Sequence, residues 1–183
     1  MRGMCTPSQT VGPFFRIGLE HLCTKLDAPA VAGAVTVRGR VLDANGEPVP
    51  DAMLELWYPD RSGCYSPPSQ EATPIPQGFM RIATDDHGAF GFTLAKPGPV
   101  DMGDGRMQAP HVVVLFFARG LLRHLITRMY FSEESANDTD PVLQSIPGER
   151  RSTLIAKQIP GEPASLRWDI RLKGEEETVF FAW

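Results

Sequence analysis

Ala109-Pro110-His111-Val112-Val113-Val114-Leu115-Phe116-Phe117-Ala118, then Arg119-Gly120, then Leu121-Leu122-Arg123-His124-Leu125-Ile126-Thr127-Arg128-Met129-Tyr130-Phe131, is the stretch that decides the fold. It reads as two strands joined by a tight turn at Arg119-Gly120. The first run is β-branched and aromatic almost throughout, which predicts a strand with both faces covered. The second mixes apolar residues with two arginines and a histidine. A histidine opens the first strand and an arginine sits deep in the second, so any chemistry is expected near this hairpin.

Working outward, Ala34 to Asp43 alternates well enough for a strand, and Asn45-Gly46 is a strong turn signal. Ala52 to Tyr58 follows as a second strand, giving a meander-like unit with Trp57 in the core. Phe79 to Thr84 and Ala89 to Leu94 read as a further hairpin about Asp85-Asp86-His87-Gly88. Thr153 to Gln158 and Leu166 to Leu172 read as strands. Ser132 to Asp140 is acidic and helix-compatible, with Glu133 and Glu134 beside Ser132 in a capped first turn. Pro141 to Arg151 suits a loop and short helix. Residues 59–78 and 100–108 are irregular, Gly- and Pro-bearing loops, and a loop as long as the first is functional or mobile. The N-terminal stretch carries Pro7 and Gly12-Pro13, so residues 1–18 are expected as an extended arm. A weak helical signal runs from Ile17 to Lys25. The C-terminal Thr178-Val179-Phe180-Phe181-Ala182-Trp183 is apolar enough to require docking. Many strands with little helix predict an all-β chain, a β-sandwich, in a single domain over 1–183.

The 183 residues are enough to bury roughly 70% of the unfolded surface without staples. With Lys+Arg 18 and Asp+Glu 22 the net charge is −4, which argues against nucleic-acid or anionic-membrane binding. Cys5, Cys23 and Cys64 are scattered, which fits reduced thiols in a cytoplasmic protein. No signal core and no run of about 18 apolar residues is present.

The residues offer little self-sufficient chemistry. None of His21, His87, His111 and His124 pairs at His-x-His spacing. The same-face neighbours of His111 on a strand are Ala109 and Val113, and neither can bind a metal. No Gly-x-Ser-x-Gly and no strand–glycine–helix phosphate motif occurs. Arg128 stands among apolar residues, as an ion pair at the sheet edge or as a carboxylate anchor. The pattern alone favours the ion pair.

Several stretches together resemble the intradiol ring-cleavage dioxygenases: Thr6 to Phe14, Glu55-Leu56-Trp57, Lys96-Pro97-Gly98-Pro99, Ala109-Pro110-His111, Thr127 to Phe131 and Gly174 to Phe181. They span nearly the whole chain in order. The first and last are similar to the family's alpha subunits. The resemblance implies a β-sandwich of the intradiol dioxygenase type with an extended N-terminal arm and few short helices. Family members cleave a catechol between its hydroxyls with O₂ and a non-haem ferric ion, held by two tyrosines and two histidines. Here the first histidine position is His111, but the second is Val113. The tyrosine position after Lys-Pro-Gly-Pro is Val100, and residues 66–78 hold no tyrosine; Tyr65 is nearby, at what looks like a non-ligand position. The arginine that assists the chemistry is replaced by Gln108.

A lone histidine without phenolates cannot hold Fe³⁺. The resemblance therefore implies an iron-free alpha subunit of a hetero-oligomeric enzyme, with Fe(III) held by a beta subunit and none in this chain. It implies no catalytic residue here, and a substrate wall built from Thr10, Val11, Gly12 and Pro13 with Phe14 beside them. Arg128 would take the carboxylate of 3,4-dihydroxybenzoate, en route to 3-carboxy-cis,cis-muconate. This reverses the reading of Arg128 by pattern alone. A β-sandwich binding or scaffold module is the alternative, and an iron enzyme with atypical ligands is a third.

Overall fold

A computed structural model describes residues 9–24, 33–65 and 78–182. The elements are α1 (Pro13–Leu19), β1 (Ala34–Leu42), β2 (Met53–Trp57), β3 (Phe79–Ala83), β4 (Ala89–Ala95), β5 (Val100–Asp101), β6 (Met107–Gln108), β7 (His111–Phe117), β8 (Leu125–Phe131), α2 (Pro141–Gln144), α3 (Gly148–Arg151), β9 (Ile155–Ile159), β10 (Glu162–Arg167) and β11 (Ile170–Arg171), with short 3₁₀ turns between.

The opening hairpin is β7–β8, paired antiparallel from His111↔Tyr130 to Phe116↔Leu125. Its connection is longer than Arg119-Gly120. Gly120 takes φ +87°, and β8 begins only at Leu125. Leu121 to His124 therefore lie outside the strand. Along β7, Val112, Val114 and Phe116 are fully buried, whereas Val113, Leu115 and Phe117 are half-buried. The run is apolar because one face meets the core and the other is partly covered.

One layer runs β3–β2–β7–β8 and the other β4–β1–β10, with β11 also on β1. Strand β9 pairs with β8 on one side and β10 on the other, so the two layers are one hydrogen-bonded sheet turned through β9. Val37, Phe92 and Leu94 of one layer meet Leu54, Val112, Val114, Phe116 and Met129 of the other in the principal core. This is the expected β-sandwich, but two local pairings differ. Asn45-Gly46 turns β1 into an isolated bridge, Leu42↔Pro48, and β1 and β2 are not partners. Likewise Asp85 to Gly88 carries the chain from β3 in one layer to β4 in the other. A tight turn fixes a change of direction and leaves the partner open. Trp57 is half-buried, stacked on Phe79 at 4.6 Å; its neighbour Tyr58 is the buried ring.

The arm also differs. Residues 9–12 are extended, but Pro13 starts helix α1, with Gly12 as its extended N-cap. Proline is disfavoured inside a helix and favoured at its first position, where its missing N–H is not needed. The signal at 17–25 is therefore displaced toward the N-terminus; Lys25 and residues 1–8 lie outside the described residues. The supposed capped turn at Glu133-Glu134 is also displaced. Glu133 has φ +60°, and the helix cap is Asp140, which accepts from the N–H groups of Val142 and Leu143. The C-terminal segment docks as expected. Thr127 Oγ1 donates to the Val179 carbonyl, and Phe181 N–H donates to the Ile126 carbonyl.

Gly39 in β1 marks a close approach. A Cβ there would strike the Trp168 carbonyl oxygen and come within 2.7 Å of Phe90 Cζ. Overpacking of this kind costs about 2–3 kcal/mol, so Gly39→Ala should lower Tm by roughly 5–10 °C in a thermal scan. An unchanged Tm would show that the β1–β10 junction yields freely.

Candidate functional site

The outer face of β7–β8 carries His111, Val113 and Leu115 opposite Tyr130, Arg128 and Ile126. Two places on it gather the residues singled out above. The first is the hairpin tip. Thr10 Oγ1 accepts from Gly120 N–H at 2.7 Å, and Phe15 packs on Phe117 at 5.4 Å. Val11 lines a groove of about 660 Å³ with Phe117, Leu121, His124, Ile126 and Phe181. Gly12 follows as the extended cap of α1, and Pro13 begins that helix. The arm is thus tied to the hairpin at a known place.

The second place lies two residues further along β8. Ile126 of the groove and Arg128 share a face, about 7 Å apart along a strand. Arg128 is 8% exposed. Its Nη1 donates to Gln108 Oε1 at 2.7 Å and to the Tyr130 hydroxyl at 3.4 Å. Among the described residues it makes no ion pair, and Nε and Nη2 donate no hydrogen bond. The edge ion pair favoured by pattern alone is therefore absent there. A buried guanidinium without a carboxylate carries a desolvation cost that an anion would relieve.

His111 is 1% exposed and opens β7. Its Nδ1 lies 2.8 Å from the Ala109 carbonyl, which can only accept, so Nδ1 carries the proton. Nε2 then accepts from the Tyr65 hydroxyl at 3.1 Å. Burial, reinforced by the nearby Arg128 charge, pushes the His111 pKa down to about 4, against the Ala109 bond and Asp140. Burial likewise raises the Tyr65 phenol, which Arg128 pulls down. Both groups are neutral at pH 7.

Residues that the sequence did not mark complete this cluster. Tyr130 is fully buried and donates to Asp140 Oδ1 at 3.2 Å. Asp140 is fully buried and also accepts from Ala109 N–H at 2.7 Å. Asp140-Pro141, an N-cap residue before proline, was the available signal for the cap. Nothing local signalled the contact with Ala109.

The iron of ring-cleaving relatives does not fit these residues. The Nε2 lone pair of His111 is taken by Tyr65, Val113 and Val100 have no donor, and the Arg128 cation lies opposite Val113 and near His111. Among the described residues no group of three His, Cys, Asp or Glu could hold a metal.

Fold and site together define a chain of the ring-cleaving dioxygenase class. The Dioxygenase family profile matches residues 19–174. The protocatechuate 3,4-dioxygenase alpha chain of Burkholderia cepacia is 40% identical over 194 aligned positions, covering 96% of each chain. The beta chain of the same organism is 29% identical over 87% of this chain and 74% of its own. The structure of 3-chlorocatechol 1,2-dioxygenase from Rhodococcus opacus 1CP superposes with a TM-score of 0.60 at 20% identity, covering 82% of this chain and 63% of that one, and shows the shared fold. The chain belongs to the intradiol ring-cleavage dioxygenase family, which depends on non-haem iron. Within that family its likeness is to the protocatechuate 3,4-dioxygenase alpha chains.

Proposed function

We propose that this chain is the iron-free, alpha-type subunit of a hetero-oligomeric protocatechuate 3,4-dioxygenase. The carrying observation is the pairing of a family scaffold with a buried cation, Arg128, beside a histidine whose Nε2 already has a partner. Alpha and beta chains are homologues of one another and of this chain, which supports an alpha–beta assembly. In that assembly the beta subunit's iron activates the catecholate toward O₂, and the product is 3-carboxy-cis,cis-muconate. This chain contributes binding. Thr10, Val11, Gly12 and Pro13 form one wall at the subunit boundary. Arg128 receives the carboxylate of 3,4-dihydroxybenzoate, for which a planar guanidinium with free N–H groups is suited. The exposed Phe14 (81%) and Ile17 (56%) on α1 are apolar surface suited to a subunit contact. The unpaired thiols of Cys23 and Cys64 support a cytoplasmic setting.

The test is co-purification with an iron-bearing beta chain. The complex should show the visible tyrosinate–iron charge-transfer band and cleave 3,4-dihydroxybenzoate. This chain alone should be colourless and inactive. A chain that stays a homomer beside the beta subunit would favour the scaffold reading. A coloured, active isolated chain would make it an iron enzyme in its own right.

A further inference from the structure

Arg128 and Asp140 are the two formal charges that are buried among the described residues. They have opposite signs and do not touch; the Tyr130 hydroxyl stands between them, accepting from Arg128 and donating to Asp140. We infer that Asp140 is the positioning residue of the anion pocket: it fixes both partners of the Arg128 guanidinium while leaving one edge of that guanidinium free for ligand. The inference rests on Arg128 as the carboxylate anchor.

Two routes lead from Asp140 to Arg128. Through Oδ1 it holds the Tyr130 hydroxyl, which meets Arg128 Nη1. Through Oδ2 it holds Ala109 N–H, the peptide next to Gln108, whose Oε1 is the shorter partner of the same Nη1. Both bonds to Arg128 therefore depend on one carboxylate. Ala109 also links Asp140 to His111, because its carbonyl accepts from Nδ1 and so fixes the tautomer that receives Tyr65. A direct Asp140–Arg128 pair would satisfy both charges and leave the guanidinium less able to attract an anion. Interposing a neutral phenol keeps the compensating charge near and the Nε/Nη2 edge open. The N–H groups of Val142 and Leu143 hold Asp140 rigidly at the start of α2.

The discriminating measurement is steady-state kinetics on the assembled alpha–beta enzyme with 3,4-dihydroxybenzoate and with 4-methylcatechol, which lacks the carboxylate. Asp140→Asn keeps size and an oxygen for the helix cap, but it sets an amide N–H against Ala109 N–H or Tyr130. It should raise KM for the carboxylated substrate about tenfold, with a smaller fall in kcat and little change in KM for 4-methylcatechol. Tyr130→Phe, which leaves the cap untouched, should shift the same ratio of KM values in the same direction. If both variants leave the ratio unchanged while Arg128→Met alters it, Asp140 is only a helix cap and the inference fails. If Arg128→Met also leaves the ratio unchanged, the anchor reading has failed first. Equal losses for both substrates in the Asp140 and Tyr130 variants indicate general disorder of the fold and overturn the positioning role.

Discussion

Replacing Arg128 by Met in the assembled enzyme should lower kcat/KM for 3,4-dihydroxybenzoate by about 30- to 100-fold, the loss of a charge-assisted carboxylate contact of about 2–3 kcal/mol. The loss should lie chiefly in KM and be small for 4-methylcatechol. Thermal stability should change much less, because losing the charge near buried Asp140 opposes the gain from no longer burying Arg128. Arg128 is 8% exposed and pairs with neutral Gln108 and Tyr130, so folding bears the cost of burying its charge. Methionine fills much of the same volume without that cost. A side chain present for packing would show the reverse, a lower Tm with binding intact. That result, or equal losses for both substrates, would remove the assigned role.

The second large effect is in acid. His111 has an unperturbed value of 6.5 and a folded-state value of about 4, because burial and Arg128 oppose the imidazolium. Between those values the unfolded chain binds the extra proton and the native chain does not, so stability is full above about pH 6.5 and falls as pH drops toward 4. The contribution of this one group should reach about 2–3 kcal/mol at pH 4.5. Urea unfolding at pH 7 and 4.5, compared between the wild type and His111→Gln, isolates it from the carboxylates. The wild type should lose more stability than the variant over that interval. Parallel losses would mean that His111 is protonated inside the fold, and that Tyr65 does not donate to it.

The sequence showed its strands far better than their partners. The run 111–117 reads as a strand covered on both faces; the structure buries Val112, Val114 and Phe116 fully and Val113, Leu115 and Phe117 only in part. Asn45-Gly46 and Asp85 to Gly88 announce turns, but which layer the chain enters next depends on pairings such as Thr36↔Ser165, remote in sequence and carrying no local mark. Pro13 misled because one residue type both forbids a helix interior and favours a helix start. At the site, the family resemblance puts Val113 and Val100 where ligands are expected, and valine has no donor atom. Asp140 carried a signal only as a helix cap, and nothing marked it or Tyr130 as a buried neighbour of Arg128, because burying a polar group is a property of the folded environment. Tyr65 stood within the long loop 59–78 with nothing to mark His111 as its partner.

The separation in sequence of paired strands has a consequence for biosynthesis. β1 is completed by β10 and β11, far along the chain, and β8 is joined by Val179 and Phe181. Neither layer is therefore complete until those distant segments have been made. Until then β1 and β8 keep unpaired edges. Such long-range closure is slow and leaves edges open to other strands. Newly made copies should thus depend on chaperone protection or prompt capture by a partner chain more than a fold built from local hairpins would.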